Sequence, residues 1–301
     1  MSGSWLVTGA GGMLGRDVVA RLTDHPTHAA DRSALDLTDA TAVRDTVAAA
    51  RPAVVVNCAA WTAVDDAETR EPEALRINGG GAEHLARACA ETGALLLHVS
   101  TDYVFTGDAT TPYPESAPTG PRTAYGRTKL AGERAVRALL PHSGHVVRTA
   151  WLYGAGGANF VRTMIRLESA REHLDVVDDQ RGQPTWTADL ADRLVRLGEA
   201  ALAGAAPAGY WHGTSGGHGT WCELARETFR LLGADPARVR PTTSAAFARP
   251  APRPAYSVLG HDRWPEAGLG PIRHWREALA EALPALVAAE RVGAGASGSA
   301  A

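Results

Sequence analysis

The fold is decided by the stretch Ser4–Leu22, SWLVTGAGGMLGRDVVARL. Its apolar start, Trp5–Thr8, predicts a short buried strand, and its second half has the spacing of an amphipathic helix. Between them Gly9, Gly12 and Gly15 form the pattern G-x-x-G-x-x-G. Glycines at such a junction allow a tight turn, a close approach of the backbone to a pyrophosphate, and close packing of helix on strand. The stretch therefore predicts a dinucleotide-binding turn, with an ordinary strand–helix turn as the alternative.

Strand and helix patterns continue to alternate beyond this stretch, at least four times in the first half of the chain. Apolar runs such as AVVVNCAA (residues 53–60) and ALLLHVST (residues 94–101) are typical of strands buried on both faces. Helical patterns separate them, as in TDATAVRDTVAAARP (residues 38–52). The alternation predicts an α/β fold with a Rossmann-like, doubly wound parallel sheet. Its ligand crevice is expected at the carboxyl ends of the strands.

The pattern changes after Gly154, where apolar runs become shorter and prolines and tryptophans appear in loops. We therefore predict two domains. Residues 1–150, joined by a return helix over residues 187–204, form the dinucleotide-binding domain. Residues 151–186 and 205–288 form a smaller, mixed α/β substrate domain. The small-residue end of the chain, residues 289–301, is expected to be a flexible tail.

Composition and charge exclude several classes of protein. The chain has 301 residues, 45% of them hydrophobic, and a net charge of −3, so it lacks the basic surface of a nucleic-acid-binding protein. Its three cysteines, Cys58, Cys89 and Cys222, are too few and too scattered for a disulfide framework or a zinc site. Neither a signal peptide nor a membrane-spanning run is recognised. We expect a cytoplasmic protein with no nucleic-acid or membrane partner and no metal cluster.

Acidic and basic residues follow the second predicted strand. Asp31 lies about 20 residues after the glycine turn, where an acid binds the ribose hydroxyls of a dinucleotide. Arg32 follows it, and a guanidinium there could instead bind a 2′-phosphate. The pair leaves NADH and NADPH both open. Asp36 and Leu37 are expected to flank the adenine.

Three further residues suggest a catalytic group. The strand ALLLHVST ends in Thr101, and TAYGRTK (residues 123–129) places Tyr125 and Lys129 one helical turn apart. A hydride arriving at a carbonyl carbon leaves an alkoxide, to which the Tyr125 phenol can donate its proton. Lys129 is expected to lower the pKa of that phenol and to hold the nicotinamide ribose, while Thr101 bonds the same substrate oxygen. The alternatives are a strand-end cap for Thr101 and a snorkelling surface lysine for Lys129.

The motifs of the chain also resemble a known family. From Trp5 to about Leu283 the sequence is similar to the dTDP-4-dehydrorhamnose reductases, which are short-chain dehydrogenases/reductases of the extended type. The motifs that carry the resemblance are TGAGGMLG, VVVNCAAWTAVDDAE, HVSTDYVFTG, AYGRTKLAGE, RTAWLYG, DDQRGQPT and RPAYSVL. The resemblance implies that NADPH, or NADH, reduces dTDP-4-dehydro-6-deoxy-L-mannose at C4 to dTDP-L-rhamnose.

The resemblance also implies roles for individual residues. Thr101, Tyr125 and Lys129 would be catalytic. The pyrophosphate would contact Gly12, Met13 and Leu14, the nicotinamide side of the groove would be lined by Ala60, Trp61 and Thr62, and the sugar would approach Asp102 and Trp151. Some members of the family have been associated with Mg²⁺ at a subunit contact, but this sequence shows no cluster of metal ligands. Monomer and homodimer both remain open.

The loop RPAYSVL departs from the family pattern, which often has asparagine where Tyr256 stands. Arg253 of the same loop is expected to bind a substrate phosphate, with a turn arginine paired to a carboxylate as the alternative. Asp65 is expected to cap a helix. Two other functions remain open: a relative that contracts the sugar ring, as in dTDP-dihydrostreptose formation, and a non-catalytic regulatory subunit with the same fold.

Overall fold

The protein is described here by a computed structural model, which covers residues 3–297. Its helices are α1 (Met13–Arg21), α2 (Ala40–Ala50), α3 (Val64–Thr69), α4 (Glu71–Leu75), α5 (Gly81–Thr92), α6 (Ala124–Leu139), α7 (Phe160–Ala170), α8 (Thr187–Leu202), α9 (Trp221–Leu231) and α10 (Trp275–Ser297). A π-helical turn, Arg76–Gly80, joins α4 to α5, and short 3₁₀ turns include Asp102–Val104 and Trp264–Ala267.

The strands alternate with these helices along the first half of the chain. They are β1 (Trp5–Thr8), β2 (Thr27–Ala30), β3 (Val54–Asn57), β4 (Leu95–Thr101), β5 (Gly144–Thr149), β6 (Leu152–Tyr153), β7 (Leu174–Val177), β8 (Arg181–Gly182), β9 (Thr185–Trp186), β10 (Gly209–His212), β11 (Ser215–Gly216), β12 (Gly219–Thr220), β13 (Val239–Thr242) and β14 (Ile272–His274).

Six of the strands form a central parallel sheet in the order β10-β5-β4-β3-β1-β2. From β1 the sheet extends to β2 on one side and to β3, β4 and β5 on the other. The strand order therefore reverses between β1 and β3, as in a doubly wound sheet. Every residue of β1, β3 and β5 is buried. The Rossmann-like fold predicted from the alternating pattern is therefore confirmed.

Two layers of helices cover the sheet. On one face Trp5 and Val7 of β1 pack with Val18 of α1 and with Leu190 and Leu194 of α8. The other face is covered by α2, α5 and α6, which contribute apolar side chains to a second core cluster. Both faces are buried because the strands carry apolar side chains in both directions, as their continuous apolar sequence requires.

The segment predicted as a return helix, residues 187–204, contains α8, which packs on the central sheet. The stretch GYWH that follows was assigned to the substrate domain, but it forms β10 and pairs with β5 at the edge of the central sheet. A four-residue strand among glycines and prolines has too short a pattern to be recognised as a sheet strand. The division of the remaining chain into two domains stays a prediction.

The rest of the second half is mixed α/β, with short strand pairs such as β7–β13 and β6–β9 beside α7, α9 and α10. Helix α10 continues to Ser297, so the part of the expected tail within residues 289–297 is helical. Glu290 on this helix pairs with Arg162 at 2.9 Å, and both side chains are only 17% exposed. Residues 298–301 lie outside the described part of the chain. Within residues 3–297, no helix combines the length and apolar character required to cross a membrane.

Candidate active site

The glycine turn between β1 and α1 forms one wall of the site. Gly9 has a φ of +69°, in the left-handed region that favours glycine. A Cβ added there would lie 2.6 Å from the Ala59 backbone nitrogen, and one added at Gly15 would lie 2.2 Å from the Gly9 carbonyl oxygen. The turn thus depends on glycine for backbone conformation and for packing. Gly12 is the N-cap of α1 and provides no side-chain cap, which leaves amide groups at the helix start free for an anion.

This turn opens into a cavity of about 1840 Å³ at the carboxyl ends of the central strands. All the site residues predicted from the sequence line this cavity. They are Gly9, Gly12, Met13, Leu14, Gly15, Asp31, Arg32, Asp36, Leu37, Ala60, Trp61, Thr62, Thr101, Asp102, Tyr125, Lys129, Trp151 and Arg253. The individual role of each residue remains a prediction.

Within the cavity, the Asp31 carboxylate is held by its own turn. Its Oδ1 atom accepts hydrogen bonds from the Ser33 hydroxyl at 2.6 Å, the Ser33 amide at 2.9 Å and the Ala34 amide at 3.1 Å. These bonds, led by that of the Ser33 hydroxyl, lower the pKa of Asp31. The carboxylate is therefore ionised and fixed in place beside the exposed Arg32.

At the reacting end, Thr101 lies at the end of β4. Its hydroxyl donates to Asp102 Oδ1 at 3.0 Å and accepts from the Tyr103 amide at 3.2 Å. The strand-end cap weighed as an alternative is thus present, and Thr101 also lines the cavity. Burial raises the pKa of Asp102 to about 6, while the hydrogen bond from Thr101 opposes that shift.

Tyr125 and Lys129 lie on the first two turns of α6, where Thr123 caps the helix by accepting from the Gly126 amide at 3.0 Å. Lys129 is 2% exposed, and its ammonium donates to the Val99 carbonyl oxygen at 2.7 Å. The side chain therefore points into the protein, which excludes a snorkelling surface lysine.

The pKa of the Tyr125 phenol is raised overall, although Lys129 was expected to lower it, and the effect of Lys129 itself stays a prediction. Burial raises the pKa of Tyr125 to about 12, the neighbouring Thr101 hydroxyl lowers it in part, and the Asp102 carboxylate raises it further. Burial has the larger effect because a phenolate loses more hydration than a phenol.

Asn78 is a structural support that the sequence pattern did not reveal. It lies in the π-helical turn, where its side-chain oxygen accepts from the Trp61 amide at 2.8 Å. Its amide group donates to the Trp61 carbonyl oxygen at 3.2 Å and to Thr128 Oγ1 at 3.0 Å. Asn78 thereby ties the Ala60–Thr62 loop to α6. The only signal in the sequence was an asparagine followed by glycines, and π-helical turns often occur at functional sites.

Trp151 lies at a break between β5 and β6 with a φ of +47°, which is rare for a bulky residue. Its indole stacks on Trp221, with ring centroids 3.7 Å apart and an interplanar angle of 9°. Gly182 lies against the same ring, because a Cβ there would come within 2.5 Å of the Trp151 Cε2 atom. Trp221 also lines the cavity. The two indoles form a rigid aromatic wall.

Arg253 lines the cavity, but it is paired with Asp65 at 2.8 Å. The alternative of a turn arginine bound to a carboxylate is therefore observed. Asp65 does not cap α3, because its carboxylate bonds Arg253 and the Ala251 amide instead. Tyr256 packs beside a separate apolar cluster around Phe105.

Among the residues the structure describes, no group of three or more His, Cys, Asp and Glu side chains is arranged to hold a metal ion.

Known proteins match this chain over most of its length. The family model described as RmlD substrate binding domain matches residues 4–288. The dTDP-4-dehydrorhamnose reductase of Streptomyces griseus is 64% identical over 284 residues, 94% of this chain and 93% of the relative. The dTDP-4-keto-6-deoxy-D-glucose reductase of Streptomyces niveus is 57% identical over 292 residues, 96% of this chain and 100% of the relative. A solved dTDP-4-dehydrorhamnose reductase from Bacillus anthracis, in complex with NADP, has a TM-score of 0.89 and 36% identity, covering 94% and 99% of the two chains.

These matches include the glycine turn, the Tyr125 helix and the second half of the chain in one alignment. The similarity therefore extends to the whole architecture and is not limited to the cofactor fold, which many enzymes share. The chain belongs to the dTDP-4-dehydrorhamnose reductase family.

Proposed function

We propose that this protein reduces the C4 ketone of dTDP-4-dehydro-6-deoxy-L-mannose with NADPH and so forms dTDP-L-rhamnose. The observation that carries the proposal is that Thr101, Tyr125 and Lys129 share one cavity with the glycine turn. The substrate class comes from the relatives, whose names specify dTDP-linked keto sugars. The proposal thus combines a reaction centre built from this chain's own residues with a family-level choice of substrate.

The residues at the glycine turn fit a dinucleotide. The absence of side chains at Gly9 and Gly15, together with the free amides at the start of α1, leaves a cradle for a pyrophosphate. Asp31 would bind the adenosine ribose, while Arg32 would approach a 2′-phosphate and so favour NADPH, with NADH as the second choice. The bound nicotinamide cofactor supplies the hydride.

Three side chains transfer the proton and bind the C4 oxygen of the substrate. Tyr125, whose pKa is about 12, is a protonated phenol at neutral pH and donates its proton to the C4 oxygen as that oxygen becomes an alkoxide. The Lys129 ammonium on the next helical turn stabilises the phenolate that remains. Thr101 orients the same substrate oxygen, and a proton from solvent restores the phenol.

The Streptomyces niveus relative supports a second candidate substrate, the 4-keto-6-deoxy-D-glucose form of the dTDP-sugar. The same three side chains would carry out that reduction, since only the stereochemistry of the sugar differs. NMR of the product distinguishes rhamnose from this alcohol, and also from the ring-contracted sugar of a dihydrostreptose-type reaction.

The test is NADPH oxidation by the wild-type protein with dTDP-4-dehydro-6-deoxy-L-mannose generated by an epimerase in the same tube. We expect turnover in the wild type and a loss of about 10²- to 10⁴-fold in kcat for Tyr125→Phe, because the proton donor is removed. Tyr153→Phe is the matched control. Tyr153 is not among the residues that line the cavity, and its buried hydroxyl has no hydrogen-bond partner in the described part of the chain. A folded, NADPH-binding wild type that reduces neither keto sugar would contradict the proposal.

A further inference from the structure

Lys129 is the only lysine among the 30 Lys and Arg residues of the chain. Arginine keeps its charge at every physiological pH, whereas a buried lysine can lose its proton. Lys129, the one lysine that can lose its proton in this way, lines the cavity with 2% of its surface exposed. The charge of this side chain therefore depends on the groups that surround it.

Among the described residues, four titratable groups lie near Lys129, two at neighbouring strands and two on its own helix. They are Cys58 after β3, His98 on β4, and Tyr125 and Glu133 on α6. Burial raises the pKa of the Cys58 thiol to about 12 and lowers that of the His98 imidazole well below its usual value, so both groups are neutral. Burial also lowers the pKa of Lys129 to about 8, while Glu133 opposes this shift. Glu133 is the one carboxylate in this set.

Glu133 lies one helical turn beyond Lys129 and is completely buried. Arg148 on β5 holds its carboxylate with two hydrogen bonds, at 2.9 Å from Nε and 2.8 Å from Nη2. The guanidinium itself lies over the rings of Phe105 at 4.8 Å and Tyr210 at 4.3 Å. This bidentate, aromatic-walled ion pair fixes the position of the Glu133 carboxylate.

The pair also links the catalytic elements. Arg148 is the register partner of Ser100, directly before Thr101, across the β4–β5 ladder. Glu133 therefore ties the helix that carries Tyr125 to the strand pair that carries Thr101.

We propose that Glu133, anchored by Arg148, is the positioning residue that keeps Lys129 cationic and so sets the alkaline limit of the reaction. The link to the reaction rests on the proposed function, whereas the effect on Lys129 does not. A buried ion pair with a purely structural role would affect stability and leave the titration of Lys129 unchanged.

The experiment uses the single lysine directly. Protein labelled with ¹³C-lysine has one lysine spin system, and its Cε shift, followed from about pH 6 to pH 11, reports the Lys129 pKa without any substrate. We expect Glu133→Gln to lower this pKa by about one unit or more, because the nearby negative charge is lost while burial remains. Glu133→Asp keeps the charge and should titrate close to wild type even if its Tm falls. Glu71→Gln removes an exposed carboxylate that pairs with Arg127 on α6, the helix of Lys129. This change should leave the Lys129 titration unchanged.

Glu133→Gln leaves Arg148 as an unpaired buried cation and can prevent folding. The double variant Glu133→Gln/Arg148→Met avoids that charge. A smaller downward shift is expected in it, because the Arg148 cation, which opposes the effect of Glu133 on Lys129, is lost as well. Equal Lys129 pKa values in the wild type and in either of these variants would overturn the proposal.

The activity profile provides a second readout. In an active enzyme, the alkaline limb of kcat should move down in pH with the NMR value in the Gln variant and stay in place in the Asp variant. If the wild type reduces no keto sugar, the proposed function fails, while the NMR comparison still decides the role of Glu133.

Discussion

Asp102 shows how a single side chain in this site is tuned by burial. Its carboxyl is 3% exposed, and its pKa rises from the usual 3.8 to about 6. The hydroxyl of Thr101 donates to one oxygen of this carboxyl. The protonation state of Asp102 therefore affects which hydrogen-bond partner the Thr101 hydroxyl has. A buried carboxylate with few donors is a cost to the folded state at neutral pH.

This cost leads to a prediction on stability. A carboxyl group whose folded pKa is raised stabilises the fold below its unfolded pKa, and that contribution is lost as the pH rises through the folded value. Asp102→Asn keeps the hydrogen-bond acceptor and cannot ionise. We therefore expect its stability relative to wild type to increase between about pH 5 and about pH 8, by about 1 kcal/mol.

Urea unfolding at the two pH values measures this difference. Asp24→Asn, at an exposed position, serves as the control and should change stability equally at both. A relative stability of Asp102→Asn that falls with rising pH would contradict the assignment of a raised pKa.

At the scale of elements, the turn between β1 and α1 depends on close backbone contacts that leave no room for a side chain. A methyl group at Gly15 would meet the Gly9 carbonyl oxygen, which is backbone and cannot rotate away. Gly15→Ala should therefore push α1 from the turn, lower stability by about 1–3 kcal/mol and weaken NADPH binding.

Gly80→Ala is the matched control, because its φ is −61° and, among the described residues, no atom beyond its chain neighbours and its own helical turn lies within 4 Å of the added Cβ. It should leave NADPH affinity unchanged and be neutral or slightly stabilising. Thermal unfolding and NADPH fluorescence titration compare the two variants. Equal NADPH affinity in Gly15→Ala and wild type would show that the turn adapts without moving the helix.

The elements also show what sequence patterns can predict. The glycine turn and the Tyr125–Lys129 pair were found because their spacing is local, within one turn or one helical repeat. Asp65 was misassigned as a cap because its partner, Arg253, lies 188 residues away. The positive φ of Trp151 could not be predicted from the sequence either, since it depends on Trp221 and Gly182 packed against its indole. Local chemistry was therefore predictable, whereas contacts made only in the folded chain were not.

At the scale of the whole molecule, one core cluster joins distant parts of the chain. Trp5 of the first strand packs with Leu194 of α8, Trp211 of β10 and Trp264, all of them buried. A Cβ added at Gly198 of α8 would lie 2.3 Å from the Trp5 ring, so helix and strand are in direct contact. The sheet that holds the glycine turn is thus completed by segments from the second half of the chain.

This shared core predicts that residues 1–150 do not fold on their own, even though they contain the glycine turn and the three catalytic candidates. Without α8 and β10 the fragment would expose the part of one apolar sheet face that α1 does not cover, including Trp5 and Leu97, and the unpaired edge of β5. We expect it to bind a hydrophobic dye, to show no cooperative thermal transition by circular dichroism and to lack NADPH binding. The matched control is residues 1–288, which retain this core and lose the Arg162–Glu290 pair, and which should unfold cooperatively at a slightly lower Tm. A cooperative transition together with NADPH binding in the 1–150 fragment would instead show that the cofactor domain is an independent folding unit.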